Sequence, residues 1–200
     1  MKDDAVIFEG QINARSAAQF LTLMQRPDIT RVIITSRGGS VSEALDMAAA
    51  IADRHLDVEV PKACFSSCAN YIFPAGSRKR IGRLGAVAWH GNMAHVLYLQ
   101  QHGLANWDEQ QLRDARMLAR REEAFFGRIG VDGLVCWFGK LEPYNVPDFY
   151  YLSVSDMERF GIQHVTVNDA AEDAGSDEVR AVHVDWTGLE AARPGLRLTE

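Results

Sequence analysis

The sequence is poor in the features that mark secreted, membrane-spanning and nucleic-acid-binding proteins. It has only three cysteines in 200 residues, an odd and low number that does not favour a disulfide-stapled scaffold. No apolar run approaches the roughly 20 residues of a membrane span, and the acidic start Met1–Asp4 lacks the apolar segment of a secretory signal. The formal net charge is −6 and there is no basic block, so nucleic acid and anionic membranes are not expected as partners. We therefore expect a cytoplasmic protein.

Two of the cysteines, Cys64 and Cys68, lie close together in the chain. No second pair of cysteines or histidines follows at the spacing that zinc sites use. We therefore expect them to be small buried side chains rather than metal ligands, and we expect no metal and no cofactor.

The first ninety residues alternate between short apolar segments and helical patterns. Arg31–Thr35 is a β-branched run typical of a buried parallel strand, and Val41–Ala52 repeats its apolar residues with the period of a helix. Arg78–Arg80 is predicted to be a solvated basic loop before a strand at Ala86–His90. Such alternation predicts an α/β fold with a largely parallel sheet, whose sites lie at the carboxyl ends of the strands.

The second half of the chain is organised around one long helical stretch. Asn106–Arg128 contains no proline, and no glycine before Gly127. We predict one domain over residues 1–168 with a helical insertion at about 104–130, followed by an acidic linker and tail over 169–200. The tail is expected to contain one edge strand and a loose end.

Three short segments contain the residue types of an acyl-transfer site: the turn Gly38-Gly39, the turn Ser66-Ser67, and His90. Each has an ordinary explanation when taken singly, because glycine pairs mark loops, serines cap helices, and single histidines are common in cores. Their order along the chain, after successive predicted strands, favours nucleophilic catalysis by a serine.

These segments resemble those of the Clp-type serine peptidases, within the wider Clp/crotonase superfamily. The matching segments are Ile33–Ser40, Ser67 with Gly76 nine residues later, Val87–His90, and Leu152–Ile162. The resemblance extends from about Val6 to Val167. The sequence is more similar to an uncharacterised Clp-like branch, which has a cysteine beside the serine, than to the housekeeping subunit.

The resemblance implies an α/β core of repeated β-β-α units arranged as a spiral, with a largely parallel sheet and a long projecting helix. It implies that Ser67 is the nucleophile, which the nine-residue spacing to Gly76 selects over Ser66, and that His90 is the general base. The oxyanion hole would consist of backbone N–H groups of Gly38, Gly39 and Cys68.

The third member of the implied triad is open between two residues. The position that resembles the family's aspartate is Asn145, and Asp148 follows three residues later. We expect Asp148 to complete the triad, because a carboxylate stabilises the imidazolium that forms during catalysis.

The expected function is that of an ATP-independent serine endopeptidase acting on peptides or unfolded proteins. Self-association through the long helix is expected, with an unfoldase partner for folded substrates. The alternatives are an inactive Clp-like scaffold, whose serine only caps a helix, and a crotonase-like acyl-CoA enzyme. A Ser–Lys peptidase resembling signal peptide peptidase A is a lesser alternative, because Lys62 and Lys140 have no clear place near Ser67.

Overall fold

The computed structural model describes residues 4–168 and 179–196. The strands are β1 (Ala5–Glu9), β2 (Arg31–Thr35), β3 (Asp57–Val60), β4 (Ala63–Phe65), β5 (Lys79–Ile81), β6 (Ala86–Ala88), β7 (Phe149–Tyr151), β8 (Val165–Val167) and β9 (Val179–Ala181). The α-helices are α1 (Ala14–Leu23), α2 (Val41–Asp53), α3 (Phe73–Ala75), α4 (Met93–Gln101), α5 (Glu109–Ile129), α6 (Val154–Arg159) and α7 (Trp186–Ala192). A π-helical turn spans Cys68–Ile72, and 3-10 turns span Gly133–Cys136, Phe138–Lys140 and Arg193–Leu196.

The main sheet has five parallel strands in the order β1-β2-β3-β5-β8. Two smaller parallel pairs, β4 with β6 and β7 with β9, accompany it. Parallel neighbours need crossover connections, and α1 and α2 supply them between the first three strands. The predicted α/β class with a largely parallel sheet is confirmed.

The core explains how the serine turn is placed. Val32 and Ile34 of β2 are fully buried, and the apolar stripe of α2, including Ala48 and Ile51, is buried as its periodicity predicts. Helix α2 packs against the π-helical turn that follows β4. The serine turn, between β4 and the π-helical turn, therefore lies at the carboxyl end of a strand and next to the buried core.

The prediction of a solvated loop at Arg78–Arg80 is wrong. Lys79 begins β5, which lies between β3 and β8 in the sheet. Its side chain is 5% exposed, and Nζ donates to the carbonyl of Gln163 at 2.8 Å. Burial lowers the pKa of Lys79 to about 8. The long aliphatic stem fills the interior while its amine reaches a backbone acceptor, and a basic tripeptide can therefore form part of a parallel sheet.

The long helix is confirmed as α5, which begins after a capping box at Asp108 and ends at Gly130 in the left-handed conformation. The preceding helix α4 was not predicted, and none of its residues is fully buried. Helix α4 lies along α5. A helix without a buried face shows no apolar period in the sequence.

The C-terminal part differs from the prediction in one respect. The predicted edge strand is confirmed as β9, which pairs with β7. A loose end was expected after β9, but α7 forms there. Its Leu189 is buried, and the ring centroids of Trp186 and Phe160 lie 4.7 Å apart. The predicted acidic linker falls mainly on residues 169–178, outside the described residues. Over the described part of the chain, no helix combines the length and apolar character needed to cross a membrane.

Candidate active site

The serine turn connects β4 to the π-helical turn. Ser66 is half-buried and has a left-handed backbone, with φ of +55°, which is uncommon for a residue other than glycine. Its N–H donates to the carbonyl of Ala88 on β6 at 3.1 Å, and its carbonyl accepts from Asn70 N–H at 2.8 Å. Ser66 is thus tied to the neighbouring strand and to its own helix.

His90 lies beside this turn, two residues after the end of β6. Phe65 pairs with Ala88 in the β4–β6 ladder, so the segments that leave the two strands are adjacent. The Nε2 atom of His90 lies 2.7 Å from the Oγ atom of Ser66. Its imidazole ring also packs against Phe149, with ring centroids 4.6 Å apart. This is the contact that a nucleophilic serine and its general base require.

The geometry does not support the prediction of Ser67 as the nucleophile. Ser67 is 2% exposed, and its Oγ donates to the carbonyl of Gly39 at 2.7 Å. Ser67 is the residue before the π-helical turn Cys68–Ile72, and its side chain makes no capping hydrogen bond to that turn. The nine-residue spacing to Gly76 that selected Ser67 came from the resemblance, whereas the hydroxyl that reaches His90 belongs to Ser66.

The diglycine turn approaches the serine turn closely, as its predicted role requires. Gly38 has φ of +92° and Gly39 has φ of +149°. A Cβ atom on Gly38 would lie 2.7 Å from the carbonyl oxygen of Phe65 and 2.8 Å from Cβ of Ser66. Only glycine allows two backbone segments to meet at this distance with that φ.

Backbone N–H groups from both turns are candidates for an oxyanion hole. With Ser66 as the nucleophile, the helix donor moves from the predicted Cys68 to Ser67, whose N–H lies in the first helical turn without an intrahelical partner. The N–H of Gly38 donates to Ser36 Oγ at 3.0 Å. The neighbouring bridge to Ile12 uses Gly38 O and Ser40 N–H, so Gly39 is the stronger candidate of the two glycines.

The predicted contact between Asp148 and His90 is not formed, and within residues 4–168 and 179–196 no carboxylate hydrogen-bonds to this imidazole. Trp89 pairs with Tyr150 in an antiparallel bridge, which places Phe149 rather than Asp148 opposite His90. Asp148 is exposed. The alternative, Asn145, is exposed in a turn with φ of +43°.

A lysine occupies the region where a carboxylate was expected. Lys140 Nζ donates to the carbonyls of Val146 at 2.9 Å and Pro147 at 2.8 Å, and also to that of Asp148. His90 keeps an exposed edge, but the part of its ring that is removed from water and the positive charge of Lys140 both lower its pKa below the ordinary value of 6.5. The lowered pKa favours the neutral imidazole, which is the form that accepts a proton.

A buried network behind the dyad joins the helix after the serine to the segment after the histidine. Asn70 Nδ2 donates to the carbonyl of Gly91 at 2.8 Å. Glu122 of α5 is 2% exposed and accepts from the hydroxyl of Tyr71 and from Met93 N–H at 3.1 Å. The sequence carried a signal for Glu122, because it lies on the same helical face as Ala115 and Phe126, which are buried.

Cys64 and Cys68 are buried as predicted, but they form a disulfide instead of remaining as thiols. The third cysteine, Cys136, is a buried thiol whose pKa burial raises well above the usual value. Among the described residues no group of three or more His, Cys, Asp or Glu side chains could hold a metal ion.

A cleft of about 510 Å³ opens next to the site. The diglycine turn forms part of its wall, together with Gln11, Arg37 and Ala63. The guanidinium of Arg37 lies over the ring of Phe65 at 5.2 Å. An extended chain in this cleft would pass beside the backbone of the diglycine turn.

The lowered pKa of His90 predicts the acid limb of a pH profile. Only neutral His90 can accept the serine proton, so reactivity should persist below pH 6.5 and be lost as pH falls through the lowered pKa. Lys140→Met should move this limb upward but not fully to the ordinary value, because desolvation of the ring, the larger cause, remains. Lys140→Arg keeps the charge and should leave the limb in place. The measurement is the rate of covalent labelling by a fluorophosphonate against pH, and coincident limbs in wild type and Lys140→Met would show that this charge does not reach His90.

Neither the models of known protein families nor the curated proteins contain a match to this sequence.

Proposed function

We propose that the chain is an ATP-independent serine peptidase of Clp type that hydrolyses peptide bonds through Ser66 and His90. The observation that carries the proposal is the 2.7 Å contact between Ser66 Oγ and His90 Nε2 at the start of a helical turn. A serine that only capped the helix would direct its oxygen at the backbone of that helix, whereas the oxygen of Ser66 is directed at an imidazole.

In the first step Ser66 Oγ attacks the carbonyl carbon of the substrate, and its proton passes to Nε2 of neutral His90. The carbonyl oxygen becomes an oxyanion as the tetrahedral intermediate forms. In this proposal the N–H of Ser67 and an N–H of the diglycine turn donate to it. Because these donors belong to two closely packed backbone segments, they need no reorganisation when the charge develops.

In the second step His90 returns the proton to the leaving amine, and the acyl group remains on Ser66. A water molecule then acts as the nucleophile: His90 accepts a proton from it, and the water oxygen attacks the acyl carbon. Ser66 Oγ leaves and regains its proton from His90. All proton transfers pass through a single imidazole nitrogen.

The proposed site works as a dyad. A carboxylate would favour the imidazolium that appears in each step, whereas the nearby Lys140 disfavours it. Removing the carboxylate of a triad costs about 10⁴-fold in kcat. We therefore expect slow turnover compared with a complete triad, and acylation that is easier to detect than steady-state hydrolysis.

The proposal extends to the spiral Clp/crotonase-like core and to the partners expected from the resemblance. Substrates are peptides or unfolded proteins, and α5 is the element proposed for self-association. It has an apolar residue on its outer face, Met117, which is 56% exposed. An unfoldase partner would be required for folded substrates.

The test is intact-mass spectrometry of the protein after incubation with a fluorophosphonate, followed by peptide mapping. We expect a single adduct on the peptide that contains Ser66, formed with loss of fluoride. In His90→Ala the labelling rate should fall by about 10²–10⁴-fold, the usual contribution of a general base. Hydrolysis of an unfolded protein such as casein would then be followed over hours.

Two outcomes would contradict the proposal and favour the alternatives. A folded wild type that forms no adduct and does not bind coenzyme A would be a non-catalytic scaffold. Binding of coenzyme A without an adduct would favour an acyl-CoA enzyme, in which paired backbone donors act without a serine nucleophile.

A further inference from the structure

The disulfide closes a small ring around Ser66. It joins Cys64, the middle residue of β4, to Cys68, the first residue of the π-helical turn. Both cysteines are fully buried. The ring contains Ser66 and also Ser67, whose N–H is the proposed helix donor of the oxyanion hole.

Ser66 needs a restraint because its backbone conformation is unfavourable for a side chain. With φ of +55° it stays in the left-handed region only while its surroundings hold it there. The hydrogen bonds to Ala88 and Asn70 supply part of that restraint. The disulfide adds a covalent link across the same turn, from the strand before Ser66 to the helix after it.

We propose, as an extension of the proposed function, that the Cys64–Cys68 disulfide positions Ser66 for attack, so that the oxidised chain is the reactive form. Without the link, β4 and the helical turn can move apart by a rotation at Ser66. The hydroxyl then leaves Nε2 of His90, and the N–H of Ser67 leaves the position of the oxyanion. A misplacement of about 1 Å in such a site costs about 10²-fold in rate.

Conversion between the two forms is a two-electron exchange with a dithiol. A thiolate of the reductant attacks one sulfur of the pair to form a mixed disulfide, and the second thiol of the reductant resolves it. Cys64 and Cys68 gain two electrons and two protons as thiols, and the reductant leaves as a cyclic disulfide. Because both sulfurs are buried, the exchange requires opening of the serine turn.

Cys136 provides the internal control. It is a buried thiol in the 3-10 turn Gly133–Cys136, outside the disulfide ring. Alkylation of the denatured, unreduced protein should therefore modify one cysteine, and alkylation after reduction should modify three. Three modified cysteines without reduction would show that the disulfide does not form and would overturn the proposal.

The main experiment compares the double variant Cys64→Ala with Cys68→Ala against Cys136→Ala. We expect the double variant to remain folded, with fluorophosphonate labelling slowed by about 10²-fold and with faster hydrogen exchange at the amides of Ser67 to Asn70. Cys136→Ala should match the wild type in both measurements.

Reduction and reoxidation of the wild type test the same point without a substitution. Incubation with dithiothreitol should slow fluorophosphonate labelling in proportion to the fraction of molecules whose disulfide is reduced, which alkylation of the cysteines measures. Reoxidation should restore the original rate. Restoration distinguishes positioning of Ser66 from general damage to the fold, and it applies even if the double variant does not fold.

Labelling of the reduced protein at the oxidised rate would overturn the inference while leaving the proposed function intact. If the wild type forms no adduct at all, the proposed function fails. In that case the exchange measurement still reports on the restraint, because faster exchange on reduction shows that the disulfide holds the turn.

Discussion

Ser66→Ala is expected to abolish covalent labelling by a fluorophosphonate, whereas Ser67→Ala is expected to retain it within about tenfold. The first substitution removes the only hydroxyl in contact with His90 Nε2 among the described residues, and loss of a serine nucleophile costs about 10⁶-fold in kcat. The second removes a hydrogen bond to Gly39. That bond anchors the diglycine turn, and its loss should lower the free energy of unfolding by about 1 kcal/mol.

The measurement is the second-order rate of labelling by intact mass, with stability followed by urea unfolding of the same samples. Each variant is the control for the other, because both replace a serine by alanine within one turn. Ser66→Ala should unfold close to the wild type, since its side chain is half-buried. Labelling that survives in Ser66→Ala and disappears in Ser67→Ala would restore the assignment made from the nine-residue spacing to Gly76.

The elements that the sequence predicted correctly have a regular apolar period and a buried face. The stripe of α2 and the β-branched run of β2 are examples, and their burial follows directly from that pattern. Helix α4 has no buried residue, so no periodic signal existed. Strand β5 was missed because its basic residues suggested exposure to solvent. In the structure the strand lies within the sheet, and the amine of Lys79 donates to the carbonyl of Gln163.

The sequence indicated the three segments that the structure brings together, but it did not predict which serine contacts His90. Gly38 and His90 lie at the site because strands and glycine turns are local features of the sequence. The choice of Ser67 rested on a spacing taken from the resemblance, whereas the hydroxyl that contacts His90 belongs to Ser66, whose left-handed backbone no periodic pattern indicates. The partner of His90 could not be predicted either, because it depends on the long loop before β7. There the bridge between Trp89 and Tyr150 decides which residue faces the imidazole.

Gly38→Ala is expected to reduce fluorophosphonate labelling by about 10²–10³-fold, the loss expected when one oxyanion donor is displaced from the site. The new Cβ would lie 2.7 Å from Phe65 O and 2.9 Å from Ser67 N. Both are backbone atoms beside Ser66, one at the end of β4 and one in the serine turn, so no flexible side chain can yield and the diglycine turn must move away from them. The donors from the two turns would then no longer converge on one oxygen. The φ of +92° adds a backbone cost of about 1–3 kcal/mol to folding.

Gly103→Ala separates the backbone cost from the clash. Gly103 also has a positive φ, of +66°, but a Cβ there meets nothing within 4 Å, and the residue follows the end of α4. We expect this variant to lose some stability in urea and to label at the wild-type rate. If Gly38→Ala is folded and also labels at the wild-type rate, the diglycine turn does not contribute to the oxyanion hole. In that case the close approach of Gly38 to the serine turn would serve packing alone. The N–H of Ser67 would then stabilise the oxyanion without a donor from the diglycine turn.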